Sequence, residues 1–146
     1  MKVEIKLDPN IKETTVTINT REITNEIKQL SKKIENTDSQ KIMAWKEKEL
    51  YLLTSKQIES IYSSDGKVYI KTKTEEYTSK DKLYELEESI ENKSFIRVSN
   101  SEIINFDELK SVDLGIIGTI KLNLKSGYST YVSRRNIRKI KEYLKI

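Results

Sequence analysis

Two short stretches of the chain contain side chains whose types and spacing suit recognition of a nucleic acid. In the first, residues 95–105, alternating apolar residues run into a polar segment that holds Asn100 between Ser99 and Ser101. An asparagine amide can form two hydrogen bonds with an adenine edge, and a serine hydroxyl can bind a base or a phosphate. The same residue types also form turns in which side chains bond to the local backbone, and this structural interpretation remains open.

The second stretch, residues 131–136, is a predicted strand end that leads into a helix with Arg138 and Lys139 one turn later. Adjacent Arg134 and Arg135 point in different directions, so one can bind a phosphate while the other reaches a guanine edge. The amino end of a helix attracts phosphate, whereas an arginine there opposes the helix dipole unless an anion is bound. A plain surface position is the alternative for both arginines.

The composition removes most catalytic and metal chemistry. The 146 residues include no Cys and no His, which excludes thiol nucleophiles, cysteine zinc sites and the commonest acid–base side chain. The 4 glycines allow neither a P-loop nor a dinucleotide-binding fingerprint. Residues 115–118 have the glycine spacing of a phosphate clamp, but the two isoleucines between those glycines indicate a hairpin tip. We therefore expect no enzyme activity, cofactor, metal or small-molecule substrate.

The charge is unevenly distributed along the chain. The net charge is +4, yet residues 121–146 alone hold eight basic residues and one acidic residue. A basic end on a nearly neutral body favours a partner that carries phosphate. No apolar run is long enough for a membrane span and the first residues lack a signal-peptide pattern, so we expect a cytoplasmic protein.

The first part of the chain reads as a small extension. Apolar residues alternate at 3–7 and 15–18, and then recur every three or four residues from Ile23 to Ile34. This pattern predicts two short strands and an amphipathic helix with Thr20 as its N-cap. Polar residues 36–39 read as a linker, so the predicted domains are a strand–strand–helix extension, 1–38, and a main domain, 39–146.

The main domain has the pattern of an antiparallel β fold. Hairpins are predicted at 41–54 and 58–72, the second around Asp65 and Gly66, which are typical of a tight turn. Further strands are predicted at 95–98, 109–114, 119–124 and 128–133. Helices are predicted near 83–90, capped by Ser79 or Thr78, and near 137–144, capped by Ser133. Short connections disfavour a parallel sheet, so the fold class is α+β, mainly antiparallel β.

Two separated motifs have a counterpart in a known family. The pattern F-x-R-x-x-x-S-x-x-x-N at 95–105 and the Ser-Arg-Arg at 133–135 resemble the LytTR-type DNA-binding domain of bacterial transcriptional regulators. The resemblance covers about residues 39–146, with the strand 58–63 and the helix 83–90 in the same order. It implies an elongated domain of stacked sheets that places loops into successive major grooves of bent double-stranded DNA.

The resemblance also implies which residues contact DNA. Asn100 and Arg135 match base-contacting positions. Five further residues match positions near phosphates, namely Ser101, Tyr131, Ser133, Asn136 and Arg138. Apart from the resemblance, we also expect phosphate contacts from Lys67, Ser99, Arg134 and Lys139. In the family a third base contact comes from the hairpin after Ser63, and this chain has Gly66 and Lys67 there, so we expect only a phosphate contact at that hairpin.

The expected function is a stand-alone, sequence-specific regulator of transcription. An extension of 38 residues cannot hold a receiver domain, and the resemblance implies control by a small membrane protein. A homodimer is expected because one small domain rarely supplies enough specificity, and the extension could serve dimerisation, the partner contact or simple packing. The alternatives are a protein-interaction module that sequesters a partner regulator without productive DNA binding, and an RNA-binding protein.

Overall fold

A computed structural model describes residues 1–35 and 40–146 of the chain. Contacts divide the chain into two compact units, Met1–Glu35 and Asn36–Ile146. The predicted linker 36–39, and with it the predicted boundary after residue 38, lies outside the described residues. None of the helices in the described part is long and apolar enough to cross a bilayer.

The first unit contains one helix, α1 (Asn25–Glu35). Its cap is Thr24, whose Oγ1 accepts a hydrogen bond from the Ile27 amide at 3.3 Å, and not Thr20 as the sequence suggested. The two strands predicted at 3–7 and 15–18 are wrong, because those residues form no ladder within the described structure. A strand needs a hydrogen-bonded neighbour, and these segments have none; their apolar side chains Val3, Ile5, Leu7 and Val16 are exposed.

The described part of the second unit, residues 40–146, contains two antiparallel sheets and two α-helices. The 7-stranded sheet has the order β2-β1-β5-β4-β3-β7-β6, and the 3-stranded sheet has the order β10-β9-β8. The strands are β1 (Ile42–Lys46), β2 (Glu49–Leu53), β3 (Ile58–Ser64), β4 (Lys67–Thr72), β5 (Glu76–Ser79), β6 (Phe95–Ser99), β7 (Glu102–Asn105), β8 (Leu109–Asp113), β9 (Lys121–Leu124) and β10 (Ser129–Tyr131). The helices are α2 (Leu83–Ser89) and α3 (Ile137–Leu144), with short 3₁₀ turns at Ser55–Gln57, Phe106–Glu108 and Arg134–Asn136. The fold class expected from the sequence is confirmed.

The larger sheet separates two hydrophobic cores. One core packs α2, through Leu83 and Leu86, against one face of the sheet. The other core lies between the sheets and holds α3 through Ile140, which is fully buried. Neighbouring residues of β7 face opposite cores, Ile103 the first and Ile104 the second. Strand β7 therefore lies between the two cores, next to the edge strand β6 and directly after the polar segment singled out in the sequence.

In the second unit, the predicted elements agree with the structure except at two strands. Both predicted hairpins are present, but β5 and β7 were not anticipated. All four residues of β7 are buried, so the strand lacks the alternation that marks a half-exposed strand. Ser79 belongs to β5 and is therefore no cap; α2 starts after Lys82, whose amide donates to the Glu85 carboxylate at 3.1 Å.

Candidate nucleic-acid interface

The first candidate turn, residues 99–101, joins β6 to β7. Its shape comes from a bulge between Arg97 and Ser99 and from the Ser99 hydroxyl, which accepts a hydrogen bond from the Ser101 amide at 3.2 Å. Asn100 stands at the tip and is exposed, and its side chain bonds to no residue that the structure describes. The turn therefore presents a free amide group to solvent.

Arg97 holds this turn from behind. Its Nε donates to the Ser99 carbonyl at 2.8 Å and an Nη donates to the Asn100 carbonyl at 2.6 Å. The same guanidinium pairs with the Glu87 carboxylate of α2 at 3.1 Å. Because these bonds engage main-chain carbonyls, the turn keeps its shape while the Asn100 side chain stays available for a ligand.

The second candidate segment follows β10. Side chains alternate along β10 and the residue after it, as the sequence predicted: Tyr131 is exposed and Val132, which follows the strand, is buried. Ser133 then begins the 3₁₀ turn Arg134–Asn136, and its hydroxyl accepts from the Asn136 amide group at 2.7 Å. Arg134 and Arg135 are both exposed. The turn thus carries two free guanidinium groups at the entrance to α3.

Helix α3 extends this basic surface. Ile140 anchors one side of the helix in the core between the sheets, and the opposite side exposes Arg138, Lys139 and Lys141. Arg138 also lies 3.4 Å from the carboxylate of Glu142, an exposed pair that screening by water makes weak. Because α3 is amphipathic, these cations are exposed to solvent beside the 3₁₀ turn.

The third candidate turn lies between β3 and β4. Asp65 and Gly66 both have positive φ angles, of 51° and 76°, which is the geometry of a type I′ turn. Ser64 and Lys67 face each other across the end of this hairpin, and Lys67 is exposed. The residues expected at a base contact in this hairpin are absent, and a single lysine remains.

Two backbone hydrogen bonds make the three turns neighbours. The Ser63 amide donates to the Ser101 carbonyl at 2.9 Å, which sets the β3–β4 hairpin beside the first turn. The Ser133 amide donates to the Val98 carbonyl at 2.9 Å, which sets the 3₁₀ turn beside the same first turn. Asn100 follows Val98 by two positions, as Arg135 follows Ser133. The structure therefore brings both predicted base-contacting residues to adjoining turns, and both are exposed.

A buried polar cluster fixes the strands behind these turns. The Glu102 carboxylate, on β7, accepts hydrogen bonds from the hydroxyls of Tyr128 and Thr130, the latter at 2.6 Å. Burial raises the pKa of Tyr128, and its hydrogen bond to Glu102 raises that pKa further. Lys71 lies over the Tyr128 ring at 4.1 Å. The cluster ties the strand after the first turn to the strand before the second.

Sequence reasoning missed two supporting residues. Asn105, the last residue of the family pattern, is buried and has no route to a ligand; its amide donates to the carbonyls of Ser55 and Ile58. The sequence pattern placed Glu102 in a polar loop, but this residue lies in β7. A sequence signal existed only for Asn105, because a polar residue after two apolar ones is typical of a strand end.

Comparisons with known proteins agree on one family. The sequence model of the LytTr DNA-binding domain matches residues 48–145. The solved LytTr DNA-binding domain of a Bacillus cereus protein, described as a methyl-accepting/DNA response regulator, superposes with a TM-score of 0.69 and 20% identity. That superposition covers 73% of this chain and 98% of the Bacillus chain.

Relatives extend over the first unit as well. An uncharacterized HTH-type transcriptional regulator of Staphylococcus aureus strain NCTC 8325 is 27% identical over 147 residues, covering 100% of this chain and 99% of that protein. The counterpart from strain MSSA476 is 26% identical with the same coverage. In the part of this chain that the structure describes, strands separate the α-helices, so no helix–turn–helix is formed there. The family match spans well over half of the chain, and the protein therefore belongs to the LytTR family of DNA-binding domains.

Proposed function

We propose that this protein is a transcriptional regulator that binds double-stranded DNA at specific sequences and reads major-groove bases from turns of its β scaffold. The observation that carries the proposal is the backbone bond between Ser133 and Val98, which holds two exposed polar turns side by side. Each turn presents one exposed side chain of a type that can form two hydrogen bonds with a base, Asn100 on one and Arg135 on the other. The relatives that match the whole chain are themselves named transcriptional regulators.

The two side chains suit different bases. A free asparagine amide donates and accepts at once, which matches the N6 and N7 atoms of adenine. A guanidinium donates two parallel hydrogen bonds, which matches O6 and N7 of guanine. We therefore assign Asn100 to an adenine and Arg135 to a guanine. The packing that holds both turns makes the spacing between the two bases a fixed property of the protein.

Phosphate contacts supply most of the affinity in this proposal. The exposed cations beside the turns are Lys67, Arg134, Arg138 and Lys139, and hydroxyl or amide groups come from Ser99, Ser101, Tyr131, Ser133 and Asn136. Such contacts release counterions and carry no sequence information. Binding is therefore expected to fall steeply as salt concentration rises, for any duplex.

Selection from random duplexes tests the proposal directly. The full chain is incubated with a random duplex library, and bound molecules are recovered and sequenced over several rounds. An enriched motif that contains adenine and guanine at a constant spacing would support the proposal. Absence of enrichment, with equal and salt-insensitive retention of all duplexes, would contradict it. A clear preference for single-stranded RNA over the duplex pool would contradict it as well.

We further infer that the regulator acts in pairs. One unit of this size contacts few bases, and a genome offers too many sites for a single copy to discriminate. The α1 helix carries Ile27 and Leu30 on one side, which suits contact with a second copy or with a small membrane-protein partner. A protein that works on chromosomal DNA is placed in the cytoplasm. Repeats of the selected motif at a constant separation would support pairing, and isolated single motifs would contradict it.

A further inference from the structure

The hairpin tip between β8 and β9 exposes aliphatic side chains to solvent. Ile117 is 100% exposed, Ile116 is 65% exposed and Leu114 is 50% exposed. Single exposed aliphatic residues are normal on protein surfaces, but a cluster at the end of a projecting hairpin is not. The cluster belongs to neither hydrophobic core. Its side chains are therefore available to a partner.

The tip has a defined shape. The Thr119 amide and its hydroxyl both donate to the Ile116 carbonyl, at 3.1 and 2.9 Å. The Gly115 amide donates to the Asp113 carboxylate at 2.8 Å, and Gly118 has a φ angle of 80°, which other residues rarely adopt. These constraints close the turn and hold Ile117 outward.

Basic residues surround the base of this tip. Gly118 borders a shallow cavity of about 540 Å³ whose other walls include Arg134, Arg138 and Lys141. Glu142 also borders the cavity, and its carboxylate lies 3.4 Å from the Arg138 guanidinium. The lining keeps a net positive charge. A sugar–phosphate backbone is the type of ligand that such a positively charged cavity favours.

The tip is continuous with the proposed DNA-binding surface. Arg134 belongs both to the cavity wall and to the 3₁₀ turn that presents Arg135. In a duplex, one sugar–phosphate backbone separates each major groove from the next minor groove. If Arg135 lies in the major groove and the backbone fills the cationic cavity, the tip, whose Gly118 borders the same cavity, lies against that backbone and next to the minor groove.

We propose that the tip at 114–118 inserts into this minor groove, with Ile117 as a wedge against a base step. The inference rests on the proposed function and deepens it. Aliphatic wedges partly unstack a base step and kink the duplex towards the major groove. Pyrimidine–purine steps deform most easily, so the tip selects such a step without bonding to its bases. The wedge thereby gives a physical cause for the bent DNA that the family resemblance implies.

The test compares Ile117→Ser with Leu52→Ser. Leu52 is 57% exposed on the β1–β2 hairpin, so it serves as a matched aliphatic control outside the proposed surface. The probe is the duplex recovered by selection, placed at permuted positions in a fragment of fixed length, so that gel mobility reports both affinity and bend. Ile117→Ser is expected to weaken binding about 10-fold and to reduce the bend, because most of one aliphatic side chain is no longer buried. Ile117→Leu should retain both properties, and Leu52→Ser should match the wild type.

The outcomes separate this inference from the proposed function. Wild-type affinity and bend in Ile117→Ser, with specific binding intact, would overturn the wedge alone. If the wild type itself shows no specific, salt-sensitive binding, both the proposed function and the wedge are overturned. A second arm uses vesicles of phosphatidylcholine with phosphatidylglycerol. If Ile117→Ser loses vesicle binding and keeps duplex binding, the tip is a lipid contact and the wedge is overturned. Thermal unfolding checks that each variant keeps the wild-type fold.

Discussion

At the scale of single residues, the interface divides into side chains that the protein uses for itself and side chains that it leaves free. Arg97 is fully engaged, because it bonds to the carbonyls of Ser99 and Asn100 and pairs with Glu87. Asn100 and Arg135 are exposed, and neither side chain bonds to a residue in the described ranges. This division separates a residue that shapes the surface from the two residues to which the proposal assigns base contacts.

Arg135→Ala is expected to remove base discrimination. Loss of two parallel hydrogen bonds to a guanine should cost about 1–3 kcal/mol on the selected duplex and relax the preference at one base pair. Electrophoretic shifts on the selected and a scrambled duplex measure the change. Equal losses on both duplexes would show that Arg135 contacts phosphate and not a base.

Lys139→Ala is expected to weaken binding to the selected and the scrambled duplex equally, unlike Arg135→Ala. Lys139 is exposed on the surface of α3, and a phosphate contact there would affect every duplex alike. The slope of log affinity against log salt should become shallower by about 0.9. Titrations at several salt concentrations measure the slope for wild type and variant. Lys48→Ala, in the exposed turn between β1 and β2, is the control and should leave the slope unchanged.

The two motifs could be located from the sequence, but the division of labour within them could not. Spacing placed Asn100 and Arg135 in separate polar turns. Their adjacency depends on the hydrogen bond between Val98 and Ser133, which joins distant parts of the chain. The engagement of Arg97 likewise depends on Glu87, on another element. Local patterns do not contain such contacts.

At the scale of elements, the connections between strands decide how well the turns are held. Asn105 closes β7 by bonding to the carbonyls of Ser55 and Ile58, at 3.3 and 2.9 Å, and by accepting from the Asp107 amide at 3.0 Å. One buried side chain therefore joins two 3₁₀ turns and the start of β3. The polar end of β7 has a structural purpose and not a binding purpose.

Asn105→Ala is expected to destabilise the fold by about 2–3 kcal/mol. The change leaves buried carbonyl and amide groups without partners, and each unsatisfied buried group carries a desolvation cost. Urea unfolding followed by circular dichroism measures the difference. Asn100→Ala is the matched control, because that side chain is exposed and should change stability by less than about 0.5 kcal/mol. Similar losses in both variants would contradict the structural assignment.

Strands with strong local signals were predictable, whereas β5, which is short and alternates between exposed and half-buried residues, and β7 were not. The hairpin around Asp65 and Gly66 was located because its alternation and turn residues are local signals. The β7 strand escaped prediction because both of its faces are buried and its pattern does not alternate. The opposite error occurred at 3–7 and 15–18, where strands were predicted and none is present. Their side chains alternate, but without a neighbouring strand no ladder forms.

At the scale of the whole second unit, two sheets are joined by a polar cluster as well as by a core. Tyr128 and Thr130, before the second turn, bond to Glu102, after the first turn. On the larger sheet, Tyr62 stacks on Tyr69 with ring centroids 5.0 Å apart and donates to Glu76 at 2.9 Å. These hydroxyls act as donors to carboxylates, so they contribute only while protonated.

Stability should therefore fall at alkaline pH. Burial, and then the hydrogen bond to Glu76, raises the pKa of Tyr62 from 10.0 to about 12, and the pKa of Tyr128 is also raised. A pKa raised in the folded state gives a contribution that is complete below pH about 10 and is lost as pH rises towards the folded value. Urea unfolding at several pH values, with tyrosinate absorbance, measures both effects. Tyr62→Phe should flatten part of the decline, and an unchanged pH profile in that variant would contradict the assignment.

The hydrogen bonds from Arg97 to main-chain carbonyls affect how the DNA specificity of such proteins can evolve. The turn it supports keeps its shape whatever side chain stands at position 100, so that position can be exchanged without altering the framework. A library of substitutions there should yield proteins of equal stability that prefer different operators. New recognition can thus arise by single changes on an inherited scaffold, and a lineage carrying this device can acquire new target genes in small steps.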